Sequence, residues 1–255
     1  MKKAFSLLFL FVLFGLNAQK SVRLKPGFYP KKHYQIESKS LINIFGQGNA
    51  VAMLEQFTIE IKTGRRFIFI IPFSGKITES TFRANGQEIQ PEEKIVGADF
   101  SGLSNGEILR IDTIAIKGKS ILERLNNVFG TMNDYNQFLK GRMRIGNRFV
   151  MRLPMQEIQK YMKGENRDSD IKIIYTLTKI DKKYAYLDLS VEMPELEFES
   201  GIISKLKGKG GARYDKDAKF FDKNDVTIEI SLSQDDKSVD IINDILLDTK
   251  VLDLN

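Results

Sequence analysis

Over most of its length the chain alternates apolar and polar residues one by one, as strands with one buried face do. Tyr184 to Met193 is the clearest case. Tyr184, Tyr186, Asp188, Ser190 and Glu192 fall on one side, and Ala185, Leu187, Leu189, Val191 and Met193 on the other. Phe57, Ile59 and Ile61 alternate with Thr58, Glu60 and Lys62 in the same way. His33 to Ile44 reads as a strand, joined by the Gly46-Gln47-Gly48-Asn49 turn to the next one, Val51 to Lys62. Arg66 to Phe73 (RFIFIIPF) predicts a strand whose two faces are both covered, or one of which lines a cavity. Pro72 has no amide to donate and marks an edge, a bulge or the end of that strand. Ile77 to Ile89 predicts a strand and turn around Asn85-Gly86, and Ile108 to Ile116 a further strand. Ile171 to Ile180 and Tyr184 to Met193 make a hairpin across Asp181-Lys182-Lys183.

The period lengthens after Gly118. Ile121, Leu125, Val128, Met132, Tyr135 and Leu139 recur every three or four residues, which predicts an amphipathic helix from about Ser120 to Lys140. Ser120 and Glu123 have capping-box spacing, and Gly141 stops the helix. Pro154 opens a short helix, Met155 to Met162. Leu196 to Lys205 and Val226 to Leu232 read as a strand pair joined by a long loop, Lys207 to Asp225. The doublets Ile241-Ile242 and Ile245-Leu246 suggest a second short helix. The expected fold is α+β and mostly β: a curved antiparallel sheet, a half-barrel, covered by one longer and one or two short helices. With neither repeat nor linker, residues 19–255 form a single β-rich domain.

The first residues stand apart from this pattern. Lys2 and Lys3 precede the apolar run Ala4 to Leu16, and Asn17-Ala18 supplies a small residue before Gln19. Residues 1–18 therefore read as a secretory signal peptide cleaved after Ala18, too short to span a membrane. The protein is expected to be exported, periplasmic or secreted, and not transmembrane once that segment is removed. Composition is that of an ordinary globular chain: 42% hydrophobic, 28% charged. The formal charge is +6, two units of which leave with Lys2 and Lys3, so no nucleic-acid partner is implied.

Chemistry is sparse. The chain has no Cys, one His and no Trp, which excludes a thiolate zinc site, a cysteine nucleophile and, within one chain, a His-based triad built with further histidines or a two-His metal site. No cofactor, metal or catalytic residue is assigned, and His33 reads as a rim histidine. Asp215, Asp217, Asp222 and Asp225 can be read as a calcium loop, but Lys219 takes the next alternate position after Asp217 and Lys216 and Lys223 interleave, so a solvated hairpin tip is the favoured reading. Three sets of side chains are candidates for binding. Phe67, Phe69, Ile71 and Phe73, with Phe45, Phe57 and Phe82 nearby in type, can line an apolar cavity or simply fill a core. Arg142, Arg144, Arg148 and Arg152 fall at even positions around a turn and can form a basic strip for an anion or headgroup, or a solvated face. Lys205, Lys207, Lys209 and Arg213, among glycines, form a basic loop for an anion or headgroup, or simply a flexible hairpin loop.

Four short segments carry a resemblance. Leu24-Lys25-Pro26-Gly27-Phe28-Tyr29 is similar to the Leu/Gly/Tyr opening of a family of uncharacterised exported bacterial proteins. Ile145-Gly146-Asn147-Arg148-Phe149 resembles that family's Val-Gly-Asp-x-Trp strand, with Asn147 in place of Asp and Phe149 in place of Trp. Ile173 to Ala185 resembles its following hairpin, and Gly208-Lys209-Gly210-Gly211 with Tyr214-Asp215 its late Gly-rich segment. Such proteins look like the lipoprotein-carrier (LolA-like) group, so the resemblance implies a half-barrel closed by helices over an apolar cavity. The expectation is an exported, non-catalytic protein that binds a lipid or other apolar ligand. The alternative is an envelope structural or adaptor protein that meets a protein partner through a sheet edge or the basic strip. A carboxylate-only hydrolase is a third reading, weakened by the absence of Trp as a sugar platform.

Overall fold

The computed structural model describes residues 21–89, 95–112, 119–153 and 170–253. The expected signal segment, the expected Met155 to Met162 helix and the end of the expected Ile108 to Ile116 strand lie outside the described residues. In chain order the elements are β1 (Ser21–Leu24), β2 (Lys32–Gly46), β3 (Asn49–Thr63), β4 (Ile71–Ala84), β5 (Gln87–Glu88), β6 (Asp99–Ser104), β7 (Leu109–Ile111), α1 (Lys119–Phe138), β8 (Gly141–Arg144), β9 (Arg148–Leu153), β10 (Ile171–Ile180), β11 (Tyr184–Glu192), β12 (Leu196–Glu197), β13 (Ile203–Asp215), β14 (Phe220–Gln234) and β15 (Lys237–Asp253). Thirteen strands form one antiparallel sheet, with a path β7-β6-β4-β3-β2-β15-β14-β13-β11-β10-β9. Its edges do not pair with each other, so the sheet is not a closed barrel. The chain is α+β and mostly β, with one helix among the described residues.

The helix shows that the sheet curls. Phe129 of α1 meets Phe100 of β6 with ring centroids 5.8 Å apart, and Tyr135 of α1 meets Tyr175 of β10 at 6.0 Å. Those helix residues are about 9 Å apart along the axis, six residues at about 1.5 Å each. A flat sheet would separate β6 from β10 by roughly 38 Å, eight strand spacings of about 4.8 Å. Both contacts can form only if the sheet wraps around the helix.

Glycines in β13 allow the strands to approach closely. A Cβ on Gly210 would lie 2.0 Å from the Asp225 carbonyl oxygen, and one on Gly208 3.0 Å from the Val191 side chain. The run Lys207 to Gly211 is therefore strand, not the long loop the glycines suggested, and the connection shrinks to the turn between Asp215 and Phe220. The doublets Ile241-Ile242 and Ile245-Leu246 also belong to a strand. β15 runs for 17 residues, and each doublet places one apolar side chain on each face. The RFIFIIPF segment is a strand only from Ile71. Phe67 and Ile70 close a tight turn through paired backbone hydrogen bonds of 2.7 and 2.9 Å.

One end of the curl is sealed. Pro26, Gly27 and Phe28 are buried, and the Phe28 N–H donates to the Gly106 carbonyl at 2.6 Å. The Phe28 ring packs edge-on against Tyr34 and Phe220, both at 5.3 Å. The Lys25 N–H donates to the Tyr214 hydroxyl at 3.1 Å, and the Tyr29 N–H to the Tyr34 hydroxyl at 2.7 Å. This N-terminal plug and the β1–β8 ribbon close the end at which β3 finishes and β4 begins.

Candidate apolar trough

Residues paired across a sheet share a face, so the register turns the inner wall into rows. One row runs Glu55, Ser40, Ile245, Val226, Gly210, Leu189, Tyr175 and Phe149. α1 lies along it. Arg124 near the start of the helix pairs with Glu55 at 3.0 Å, and Tyr135 near its end meets Tyr175. On the sealed side of this row, Ile36, Ile59, Ile61 and Ile77 pack beneath Ile121, Leu125 and Met132, all buried. Two side chains fasten the helix to the β6–β7 turn. Asn133 bonds both backbone groups of Leu109, at 2.8 and 3.1 Å, and the Asn136 amide donates to the Glu107 carbonyl at 3.1 Å.

On the other side of the helix the inner wall continues with no element over it among the described residues. The next row is Met53, Ile42, Asn243, Ile228, Gly208, Val191, Ile173 and Met151. The row beyond it is Val51, Ile44, Ile241, Ile230 and Leu206, apolar on five consecutive strands. Every member of that last row is partly or fully exposed. The outer face behind these strands carries polar pairs instead, interrupted by Leu41, Phe45, Leu54, Ile242 and Leu246. Lys207 meets Glu229 at 2.8 Å, Thr227 donates to Asp244 at 2.6 Å, and Ser231 donates to Asp240 at 2.6 Å. An antiparallel sheet with one apolar and one polar face normally buries the apolar one. Here the helix covers only part of it.

A cavity of about 230 Å³ sits where helix and open floor meet, lined by Asp134, Tyr135, Phe138, Met151, Ile173 and Ile228 among others. Small-molecule sites usually enclose roughly 300–1,000 Å³, so this cavity alone is smaller than such a site and opens onto the apolar rows beyond it. Its polar groups are few. Burial raises the Asp134 carboxyl above the usual carboxylate range and the Tyr175 phenol above its usual value. The Tyr135 and Tyr175 hydroxyls bond each other. Ser40 donates to Asn243 at 2.8 Å, so the polar side chain within the open rows is engaged.

The side chains singled out from the sequence are dispersed. Phe67 and Phe69 stand exposed on the turn before β4, while Ile71 and Phe73 are buried in the core, so the four do not share one wall. Phe45 projects on the outer face, exposed. Arg142 and Arg144 lie on β8, which pairs only with β1, whereas Arg148 and Arg152 lie on β9 of the large sheet; the four do not form one strip. Arg142 donates to the Ser21 hydroxyl at 3.3 and 3.2 Å. Lys205 pairs with Glu195 at 2.9 Å. The Asp215 carboxylate accepts the Asp217 and Ala218 N–H groups, and Asp222 takes both ends of the Arg213 guanidinium at 2.9 and 3.0 Å. His33 Nε2 lies 3.3 Å from the Glu60 carboxylate on the outer face. Sequence reasoning missed the floor rows. Their members come from eight strands in one row and five in the other, and only the register brings them together.

Fold and trough together define a class: a curled, open antiparallel sheet with a helix laid across its apolar wall. No protein family and no curated protein matches the chain. Among solved structures it is similar to lipovitellin, described for its lipid–protein interactions, at 8% identity and a TM-score of 0.52. The match covers 89% of this chain but only 26% of that one, so the chain spans about a quarter of its neighbour. An outer membrane channel from Pseudomonas putida F1 aligns at 6% identity over 89% of this chain and 98% of that one, with a TM-score of 0.20. Among the described residues no helix is long and apolar enough to cross a membrane.

Proposed function

We propose that the chain is an exported, non-catalytic binding protein that holds a lipid or other apolar ligand in the trough beside α1. The observation that carries this reading is the uncovered floor, two rows of the inner wall left partly exposed while the outer face behind them is largely polar. Leaving apolar surface in water costs roughly 25 cal/mol per Å², so an occupant that covers the floor gains what folding leaves unclaimed. Lipovitellin, described for its lipid–protein interactions, supports the ligand class by analogy of fold. The likeness of the sequence to the lipoprotein-carrier group points the same way, and the basic start and apolar run of residues 1–18 support export.

Titration of residues 19–255 with a fluorescent fatty acid tests the proposal. Saturable binding, competed by unlabelled lipid and weakened by Ile228→Ser with Ile230→Ser, is the expected result. Binding that ignores these substitutions, or no saturable binding, sinks it.

A further inference from the structure

The sealed end of the molecule carries a second apolar feature that the trough does not use. Phe67, Ile68, Phe69 and Ile70 stand consecutively at the tip of the β3–β4 connection, 67%, 83%, 78% and 48% exposed. They are not spill-over from the core, since the paired hydrogen bonds between Phe67 and Ile70 hold them as a separate finger before buried Ile71. Ile68 has a φ of 55°. The first central position of such a tight turn is ordinarily given to glycine, and a β-branched side chain is strained there. A bulky apolar residue is thus kept at the outermost point, where neither turn geometry nor water favours it.

Cations surround the finger. Arg65 and Arg66 precede it, Arg110 lies beside Ile70 and exposed Leu103, and the Lys31 N–H donates to the Gly64 carbonyl at its base. All four cationic side chains are exposed, and among the described residues none has a carboxylate within ion-pair distance. The nearby Glu107 carboxylate is held by Lys140 at 3.0 Å. Unpaired cations around a protruding apolar tip match one surface in both respects: an apolar layer lying just beneath negative headgroups.

We infer that the Phe67–Ile70 tip is a membrane-docking finger that enters the interface of an anionic bilayer while Arg65, Arg66, Arg110 and Lys31 meet its headgroups. The finger and the open rows of the trough lie at opposite ends of β3, near Thr63 and near Asn49. Docking and ligand binding therefore fail independently.

The chain has no Trp, so Phe69→Trp gives a single reporter. With phosphatidylglycerol vesicles its emission shifts to the blue and is quenched by brominated lipid; with phosphatidylcholine vesicles at physiological salt it does not. The double variant Phe67→Ser with Phe69→Ser loses at least tenfold in co-sedimentation with anionic vesicles, and Arg65→Glu with Arg66→Glu loses a similar factor along with most of the salt dependence. Both double variants keep the wild-type melting temperature and fatty-acid binding, because these side chains lie outside core and trough. Unshifted emission with anionic vesicles overturns the inference. So does undiminished sedimentation of the Phe67→Ser, Phe69→Ser variant, or a finger-dependent dimer that forms in place of vesicle binding.

Discussion

The two sides of α1 are built from the same strands and meet different fates. Toward the sealed end, the inner wall is filled by Ile36, Ile59, Ile61, Ile77 and the helix residues that cover them. Toward the open end, the same β2, β3, β14 and β15 present Ile42, Ile44, Val51, Ile228, Ile230 and Ile241 with nothing over them among the described residues. Alternation in the chain is equally good on both sides. What differs is the cover, and polar contacts fasten it toward each end of the helix: Arg124 to Glu55 at one end, the Asn133 and Asn136 bonds to the β6–β7 turn toward the other. Burial in this fold is therefore a property of where the helix is fastened rather than of strand pattern.

Substitutions that strike the covered side should have the largest effect. Leu125→Ala empties a fully buried site between helix and sheet and should lower stability by about 2–5 kcal/mol, read by urea denaturation. Gly210→Ala pushes a methyl into the Asp225 carbonyl where the sheet curls and should cost about 1–3 kcal/mol in the same assay. Asn133→Ala leaves the Leu109 N–H and carbonyl without their partner and should cost about 1–3 kcal/mol, with faster amide exchange at Leu109. On the open side the comparison reverses. Ile230→Ser should change unfolding by less than about 1 kcal/mol, because the side chain is already partly in water, while weakening fatty-acid binding several-fold. Equal destabilisation by Leu125→Ala and Ile230→Ser would erase the distinction between the two sides.

The smallest effect is one of pH. Burial raises the Asp134 carboxyl above its ordinary 3.8, so the folded state prefers the protonated form. The stabilisation that follows is fully present below the ordinary value and is lost as pH rises through the raised one. Asp134→Asn should therefore melt above wild type near neutrality, with the gap closing as pH falls toward 4. A melting difference independent of pH would show that Asp134 is not desolvated at the trough.

Strands whose two faces differ were legible in the chain, as Tyr184 to Met193 and Phe57 to Lys62 demonstrate. So was the helix, read as 120–140 and found at Lys119–Phe138. Misreadings fell where a residue's usual meaning is overridden by packing. Gly208 and Gly210 resemble loop residues but serve close approach of neighbouring strands. The isoleucine doublets of β15 imitate helical spacing because that strand is apolar on both faces at those points. RFIFIIPF resembles a strand throughout because its turn is made without glycine, through a positive φ at Ile68. The trough was illegible for a different reason. Alternation identifies the members of each row, but only strand order and register show that Val51, Ile44, Ile241, Ile230 and Leu206 lie side by side.

The most direct test of the central claim is native mass spectrometry of residues 19–255 purified from a bacterial envelope without detergent. The account predicts a reproducible added mass that fragments as lipid, present on wild type and on the Phe67→Ser, Phe69→Ser variant, and lost from Ile228→Ser with Ile230→Ser. A bare protein mass for wild type, unchanged after incubation with lipid, would contradict it.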